Sequence, residues 1–161
     1  LVLIENGILK NYMIDRLNGR RMGMAPTGSA RRESYAYAPT SRMRNTFIAP
    51  GCDDEAEMIA TMGDGLYAAS MGGGSVNPAT GEFNFAVNEG YLVKDGRIVH
   101  PVRGASLVGK GGDILMQIDR VGKNMVMAQG MCGSLSGSVP VNVGQPWIRV
   151  KSITVGGRQQ G

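Results

Sequence analysis

The stretch GYLVKDGRIVHPV, residues 90–102, carries the clearest local signal for the fold. Two apolar runs flank the dipeptide Asp95-Gly96, which readily supplies the two positive φ angles of a type I′ turn. The sequence therefore predicts a β-hairpin over these residues. Just before it, residues 82–88 alternate between apolar and polar side chains, which predicts a half-buried strand leading into the hairpin.

The same turn chemistry recurs at the start of the chain, where Asn6-Gly7 separates two short apolar runs and predicts a second hairpin. Further strands are expected over residues 44–49, 125–128 and 148–155. Residues 25–41 have no periodicity and are expected to form a long loop. The triplet at residues 72–74 is all glycine and predicts a turn.

Short helical patterns lie between these strands. One covers residues 12–22 and is expected to stop at Gly23. A second is expected to be capped by Asp53, because acidic residues follow it and favour a helix N-terminus. A third is expected from Asp113 to Gly122. Together the elements predict an α+β fold, with a strand-rich, largely antiparallel sheet or half-barrel and two or three short helices.

The composition limits the class of protein. The chain has 161 residues, of which 42% are hydrophobic and 25 are glycine. It contains no apolar run long enough to cross a membrane, and its two cysteines are too few for a secreted disulfide scaffold. We therefore expect a cytoplasmic protein without a membrane association. Because the first residue is Leu and already reads as strand, we also expect residues 1–161 to be one domain of a longer protein.

The formal charge of +4 comes largely from arginines in the first 44 residues. Such an excess fits either a solvated basic face or a phosphate-binding patch, and the solvated face is the simpler interpretation. The chain has one Trp, five Tyr and three Phe, which does not suggest a stacking platform for bases. Nucleic-acid binding is therefore not expected.

Few residues could carry catalysis. The single histidine, His100, ends a predicted strand and is expected to be structural or solvent-facing. Neither a His-Glu-x-x-His nor a Cys-x-x-Cys motif is present. Cys132 lies among glycines that let its thiol approach another group, although a small buried hydrophobe is the simpler interpretation. Cys52 is interpreted as incidental.

The C-terminal third of the sequence carries a more specific signal than the composition does. The run MCGSLSGSVPVNVGQP at 131–146, followed by ITVGG at 153–157, resembles the end of the TldD/PmbA family of zinc metallopeptidases, historically called modulators of DNA gyrase. The resemblance continues in order along the chain through LIENGIL at 3–9, MG at 22–23, PTG at 26–28, RRESY at 31–35, NT at 45–46, PG at 50–51, GGG at 72–74 and PVRGA at 101–105.

The resemblance implies a C-terminal domain of the TldD branch, in which a late cysteine completes a zinc site whose two histidines lie on an upstream helix. Cys132 matches that cysteine, and the histidine helix is absent from these residues. The implied function is a zinc-dependent peptidase that cleaves short or unfolded peptides. This domain would contribute Cys132 and part of the substrate cleft, and by itself would be inactive and hold no zinc tightly.

The implied partners are a peptide substrate and a homologous TldD or PmbA subunit, in a heterodimer or homodimer. The loop from Arg31 to Tyr35 is a candidate for contacting the carboxylate or backbone of a peptide, with Arg32 and Glu33 as the substrate-binding residues. The alternative is a surface loop pinned by an arginine–Glu33 pair. For the whole domain the alternative is a non-catalytic, PmbA-like structural module that pairs with a catalytic subunit.

Overall fold

The computed structural model describes residues 1–157, which form three helices and twelve strands. The helices are α1 (Arg16–Met22), α2 (Glu55–Ala60) and α3 (Gly111–Leu115). The strands are β1 (Ile4–Glu5), β2 (Ile8–Leu9), β3 (Ala30–Arg31), β4 (Thr40–Ser41), β5 (Thr46–Phe47), β6 (Gly65–Val76), β7 (Glu82–Lys94), β8 (Arg97–Val102), β9 (Ser106–Lys110), β10 (Ile118–Ser134), β11 (Gly137–Val150) and β12 (Thr154–Gly156). The predicted strand-rich α+β class is confirmed.

The chain divides into two compact units. We call Leu1–Ala49 with Met125–Gln145 the split unit, because its two halves are far apart in sequence. We call Pro50–Asn124, together with the residues from Pro146 onward, the sheet unit. Each is described separately below.

The sheet unit is built around β7. On one side β7 pairs with β6, and on the other it pairs with β8 near its end and with β9 near its start. β12 adds to β9, and every one of these pairings is antiparallel. The predicted hairpin between β7 and β8 is confirmed, with φ of 48° at Asp95 and 71° at Gly96.

The split unit contains the other predicted hairpin. β1 and β2 pair antiparallel around Asn6-Gly7, whose φ angles are 51° and 76°. β3 and β4 form a second short antiparallel ladder within the stretch expected to be a loop. β5 pairs with β11 in parallel, with Thr46 opposite Val143. This last pairing joins segments almost a hundred residues apart.

Side-chain caps define the helices. Asp15 caps α1, and the hydrogen bond from the Asn18 backbone N–H, at 2.7 Å, holds the pKa of the Asp15 carboxyl below its usual value. The helix ends at Gly23, as predicted. α2 is capped by Asp54, so the prediction of Asp53 was wrong by one residue. The Asp53 carboxylate instead accepts a hydrogen bond from the Val121 N–H at 2.8 Å.

Two other predictions were wrong. The helix expected from Asp113 to Gly122 is a single turn, α3, because the chain from Ile118 onward enters the long strand β10. The glycine triplet at 72–74 is not a turn but lies inside β6. A Cβ at Gly74 would lie 2.2 Å from the Asn84 carbonyl oxygen on β7, so the glycine is needed for close strand approach.

The buried residues differ between the units. In the sheet unit they are mainly apolar and include Met58, Val87 and Val93. In the split unit the apolar set Ile14, Val139 and Val141 is matched by four buried polar residues, Asp15, Ser29, Arg42 and Ser136. The split unit is therefore organised by hydrogen bonds as much as by apolar packing.

The longest helix within residues 1–157 has seven residues, and none in that range is long and apolar enough to span a bilayer.

Candidate functional site

Cys132 lies near the end of β10 and is half-buried. Leu135 and Ser136 form the turn that follows, and β11 begins at Gly137. Gly137 has φ of +84°, a left-handed conformation that glycine adopts without strain. The thiol therefore lies on a strand that ends two residues later in a tight turn.

Arg42 is the residue that fixes this turn. Its side chain is 3% exposed. Nη1 donates to Ser136 Oγ at 2.6 Å and to the Gly137 carbonyl oxygen at 2.8 Å, and Nη2 donates to the Cys132 carbonyl oxygen. One planar guanidinium thus joins the last residues of β10, the turn and the first residue of β11. This arrangement fixes the backbone at Cys132 relative to the turn.

Arg42 is itself held by the β3–β4 ladder. It directly follows β4, and its backbone N–H donates to the carbonyl oxygen of buried Ser29 at 2.8 Å. Among residues 1–157 no carboxylate lies within ion-pair distance of its guanidinium. Within this range the buried positive charge is therefore stabilised by backbone carbonyls and a hydroxyl alone. Because a buried charge is costly when its hydrogen bonds are not made, the position of the Arg42 side chain is tightly constrained.

A second set of bonds ties the same turn to the loop around Glu33. The Glu33 N–H donates to the Ser136 carbonyl oxygen at 2.9 Å, and the Ser138 N–H donates to Glu33 Oε2 at 2.6 Å. Thr40 Oγ1 also donates to Ser136 Oγ at 3.0 Å. Glu33 therefore lies against the turn that follows Cys132, although it forms no ion pair with an arginine in the described chain.

The other predicted substrate-binding residue, Arg32, is exposed and makes one long contact, from Nη1 to the Tyr37 carbonyl oxygen at 3.4 Å. Its neighbour Arg31 is more firmly held. Arg31 Nη1 donates to the Met43 carbonyl oxygen at 3.0 Å, and Nη2 donates to the Pro140 carbonyl oxygen at 2.7 Å. Sequence reasoning missed the role of Arg42, because the sequence around a buried arginine does not distinguish it from an exposed one.

Two concave surfaces lie in the split unit. The hairpin depression has a volume of about 430 Å³ and is lined by residues 129–131 of β10, residues 140–142 of β11 and Asn45. The arginine depression has a volume of about 300 Å³ and is lined by Arg31, Arg44 and Asn45. Asn45 borders both, and the wall of the hairpin depression ends at the residue before Cys132.

The split unit is strongly basic. It contains eight Lys or Arg residues and three Asp or Glu residues, a net charge of +5 against +4 for the whole chain. Its three carboxylates are already engaged: Glu5 lies 3.7 Å from Lys10, Asp15 caps α1, and Glu33 accepts from Ser138. The basic excess seen in the sequence is therefore concentrated in the unit that carries Cys132.

Metal ligands are sparse. Residues 1–157 contain no group of three or more His, Cys, Asp or Glu side chains that could hold a metal ion. His100 and Cys52 are both exposed and belong to the sheet unit. Because a catalytic zinc site needs three protein ligands, the described residues do not complete one, and Cys132 is a single candidate ligand.

A family model described as the PmbA/TldA metallopeptidase C-terminal domain matches residues 1–157. The chain is 46% identical over 158 residues to a metalloprotease TldD homolog of Buchnera aphidicola, a match that covers 97% of the chain and 33% of that protein. It is 38% identical over 155 residues to a zinc metalloprotease TldD homolog of Saccharolobus solfataricus, covering 96% and 35% respectively. The chain therefore spans about a third of the length of the curated relatives it matches.

Among solved structures, TldE from Thermococcus kodakarensis superposes with a TM-score of 0.74 at 22% identity. The superposition covers 96% of this chain and 33% of the TldE chain. At this identity the likeness establishes a shared fold.

Proposed function

The chain belongs to the family of PmbA/TldA metallopeptidase C-terminal domains, and from this premise we propose that it is the domain of a zinc-dependent peptidase that supplies one metal ligand, Cys132. The substrates of the full-length protein would be short or unfolded peptides. This domain would also form part of the substrate cleft, and alone it would neither hold zinc tightly nor hydrolyse peptides.

The observation that carries the proposal is the fixed backbone at Cys132. A metal ligand must keep its position while the metal is loaded and while substrate binds. Buried Arg42 bonds the Cys132 carbonyl and the turn beyond it, so the strand end has little freedom to move. Thiolate is also a ligand that zinc accepts well. The name of the Saccharolobus relative supports zinc as the family's metal.

A bound zinc ion would supply Lewis acidity toward the scissile carbonyl. Cys132 would act as a ligand and not as the attacking nucleophile. A cysteine nucleophile needs a positioned base, and no histidine lies near Cys132 in the sequence, since the chain's single histidine is His100. The other ligands would come from residues outside 1–157.

For substrate contacts we propose different roles for Arg32 and Glu33. The exposed Arg32 guanidinium has donors free to meet a peptide carbonyl or carboxylate. One oxygen of the Glu33 carboxylate is already engaged by Ser138, so Glu33 would act mainly by holding the loop beside the turn. We further propose that the full-length protein is cytoplasmic and pairs with a second family subunit, as the shared fold with TldE suggests.

The test is the zinc content of the full-length protein, measured by inductively coupled plasma mass spectrometry. The wild-type protein and Cys52→Ser should retain about one zinc per chain, whereas Cys132→Ser should lose it after dialysis. Cys52→Ser is the matched control because it removes the chain's other thiol. Stoichiometric zinc in Cys132→Ser would contradict the ligand role.

A second candidate is a non-catalytic, PmbA-like module that pairs with a catalytic subunit. The shared fold with TldE fits either candidate, while the 46% identity to a metalloprotease TldD homolog favours the peptidase. Absence of zinc from the full-length wild-type protein, together with stable binding to a homologous subunit, would select this alternative.

A further inference from the structure

The arginine depression has hydrogen-bond donors on its walls and no carboxylate. It is lined by Arg31, Arg44 and Asn45. Among residues 1–157 no ion pair forms at any arginine of the split unit, and the single ion pair in that unit joins Lys10 and Glu5. The positive charge at this surface is therefore not neutralised within the described chain.

Arg31 is held in place before any ligand arrives. Its two Nη atoms donate to the carbonyl oxygens of Met43 and Pro140, which come from different parts of the split unit. Each Nη carries two hydrogens, so one N–H on each remains for a ligand, as does the Nε–H. Anchoring an arginine in this way reduces the conformational entropy lost when it binds an anion.

The orientation of Asn45 follows from its neighbour on β11. The Asn142 backbone N–H donates to Asn45 Oδ1 at 3.2 Å, so the oxygen faces the protein. The amide Nδ2 therefore presents its N–H groups away from that bond. Asn45 borders both depressions, so its donor group stands where they meet.

Arg44 completes the set. Its side chain is exposed, and the residue lies between Asn45 and buried Arg42, two positions earlier. A guanidinium and a planar carboxylate match as a two-pronged pair, and the interaction is stronger than a bond between neutral groups. The three residues together offer two cations and one neutral donor around about 300 Å³, enough for one carboxylate.

We propose that the arginine depression binds a carboxylate of the peptide substrate, with Arg44 as the main specificity-determining residue. This inference rests on the proposed peptidase function and adds a preference among peptides. The hairpin depression shares Asn45 with it, and its wall includes Met131, the residue before Cys132 in the sequence. The carboxylate could be the peptide's C-terminus or an acidic side chain, which share the same chemistry.

The test uses the full-length protein and fluorescence anisotropy with N-terminally labelled pentapeptides. One peptide has a free C-terminus, one has a C-terminal amide, and one has the amide together with an internal glutamate. We expect one or both carboxylate-containing peptides to bind about tenfold more tightly than the plain amide, as loss of one charge-assisted bond predicts. The preferred peptide identifies the source of the carboxylate.

Variants distinguish recognition from folding. Arg44→Gln should weaken the preferred peptide about tenfold and leave the plain amide unchanged, and Arg44→Lys should restore much of the preference. Arg16→Gln, on the exposed first residue of α1 and outside both depressions, is the matched control and should keep the preference.

Equal binding of all three peptides to the wild type would overturn the inference and leave the peptidase proposal standing, provided that peptides bind. Equal weakening of the binding of every peptide by Arg44→Gln would also overturn it. So would competition in which inorganic phosphate displaces the labelled peptide at far lower concentration than acetate does. No binding of any peptide, in a protein that retains its zinc, would instead count against the proposed function and the inference together.

Discussion

Replacing Arg42 with methionine should loosen the turn between β10 and β11 without unfolding the sheet unit. Methionine fills similar space but cannot donate to the Cys132 carbonyl, the Gly137 carbonyl or Ser136 Oγ. A hydrogen bond from a charged donor contributes about 1.5–3 kcal/mol. The substitution removes three such hydrogen bonds, but it also removes the cost of burying a guanidinium that has no carboxylate partner in the described chain. We therefore expect the turn to lose about 3 kcal/mol of stability in total.

The measurement is native-state hydrogen exchange by mass spectrometry on the full-length protein. A loss of about 3 kcal/mol corresponds to roughly hundredfold faster exchange through local opening. The increase should be confined to peptides covering residues 29–42 and 132–141, which include the amides of Glu33 and Ser138 at the turn.

The matched control is Arg32→Met, because Arg32 is exposed and makes a single contact of 3.4 Å. A surface change of this kind is expected to stay within about 0.5 kcal/mol. Identical exchange in Arg42→Met and Arg32→Met would refute the view that the buried guanidinium holds the turn.

Two further predictions concern single residues. Gly137→Ala should speed limited proteolysis at the β10–β11 turn more than Gly28→Ala speeds it at residue 28. Both alanines would have a positive φ, but the new Cβ at residue 137 would also lie 2.4 Å from Glu33 Oε2. In the sheet unit, the hydrogen bonds from Arg149 to Asp119, at 2.7 and 3.0 Å, hold the pKa of that carboxyl below its usual value. The stability that this carboxylate contributes is present above about pH 4 and is lost as the pH falls through the lowered value. Asp119→Asn should therefore flatten the acid dependence of tryptophan fluorescence below about pH 4 in the 161-residue chain; an unchanged profile would show that another group controls it.

The hairpins were predictable because their cause is local. Asn6-Gly7 and Asp95-Gly96 tolerate the positive φ angles of a tight turn, and both dipeptides have them in the structure. The N-cap signal was less reliable: the cap expected at Asp53 lies one residue later, at Asp54, and Asp113 lies inside α3 and does not cap it. Signals of this kind depend on two to four neighbouring residues.

Long strands were missed because distant partners decide them. Residues 113–121 have apolar spacing that suits a helix, but from Ile118 the chain instead lies beside β11. The glycines at 72–74 lower strand propensity, yet the backbone of β7 leaves no room for a side chain at Gly74. Tertiary packing overrides local preference in both places.

The candidate site divides in the same way. Cys132 was found from a family resemblance spread along the whole chain. Arg42 was not, because its burial depends on contacts with residues 90 to 95 positions later. The pattern of its own neighbours, between Ser41 and Met43, gives no sign of such contacts.

The discontinuity of the split unit bears on how the protein is made. Its first segment ends at Ala49 and its second begins at Met125, so roughly 75 residues are synthesised between them. At about 5–20 residues per second, the first segment waits roughly 4–15 s on the ribosome before its partner strands emerge. During that time Leu1, Val2, Ile4, Ile8 and Leu9 are present without the second segment of the unit. During this interval β5 lacks its partner β11, whereas the sheet unit, most of which is contiguous, can form its β7–β8 hairpin as soon as that segment leaves the exit tunnel.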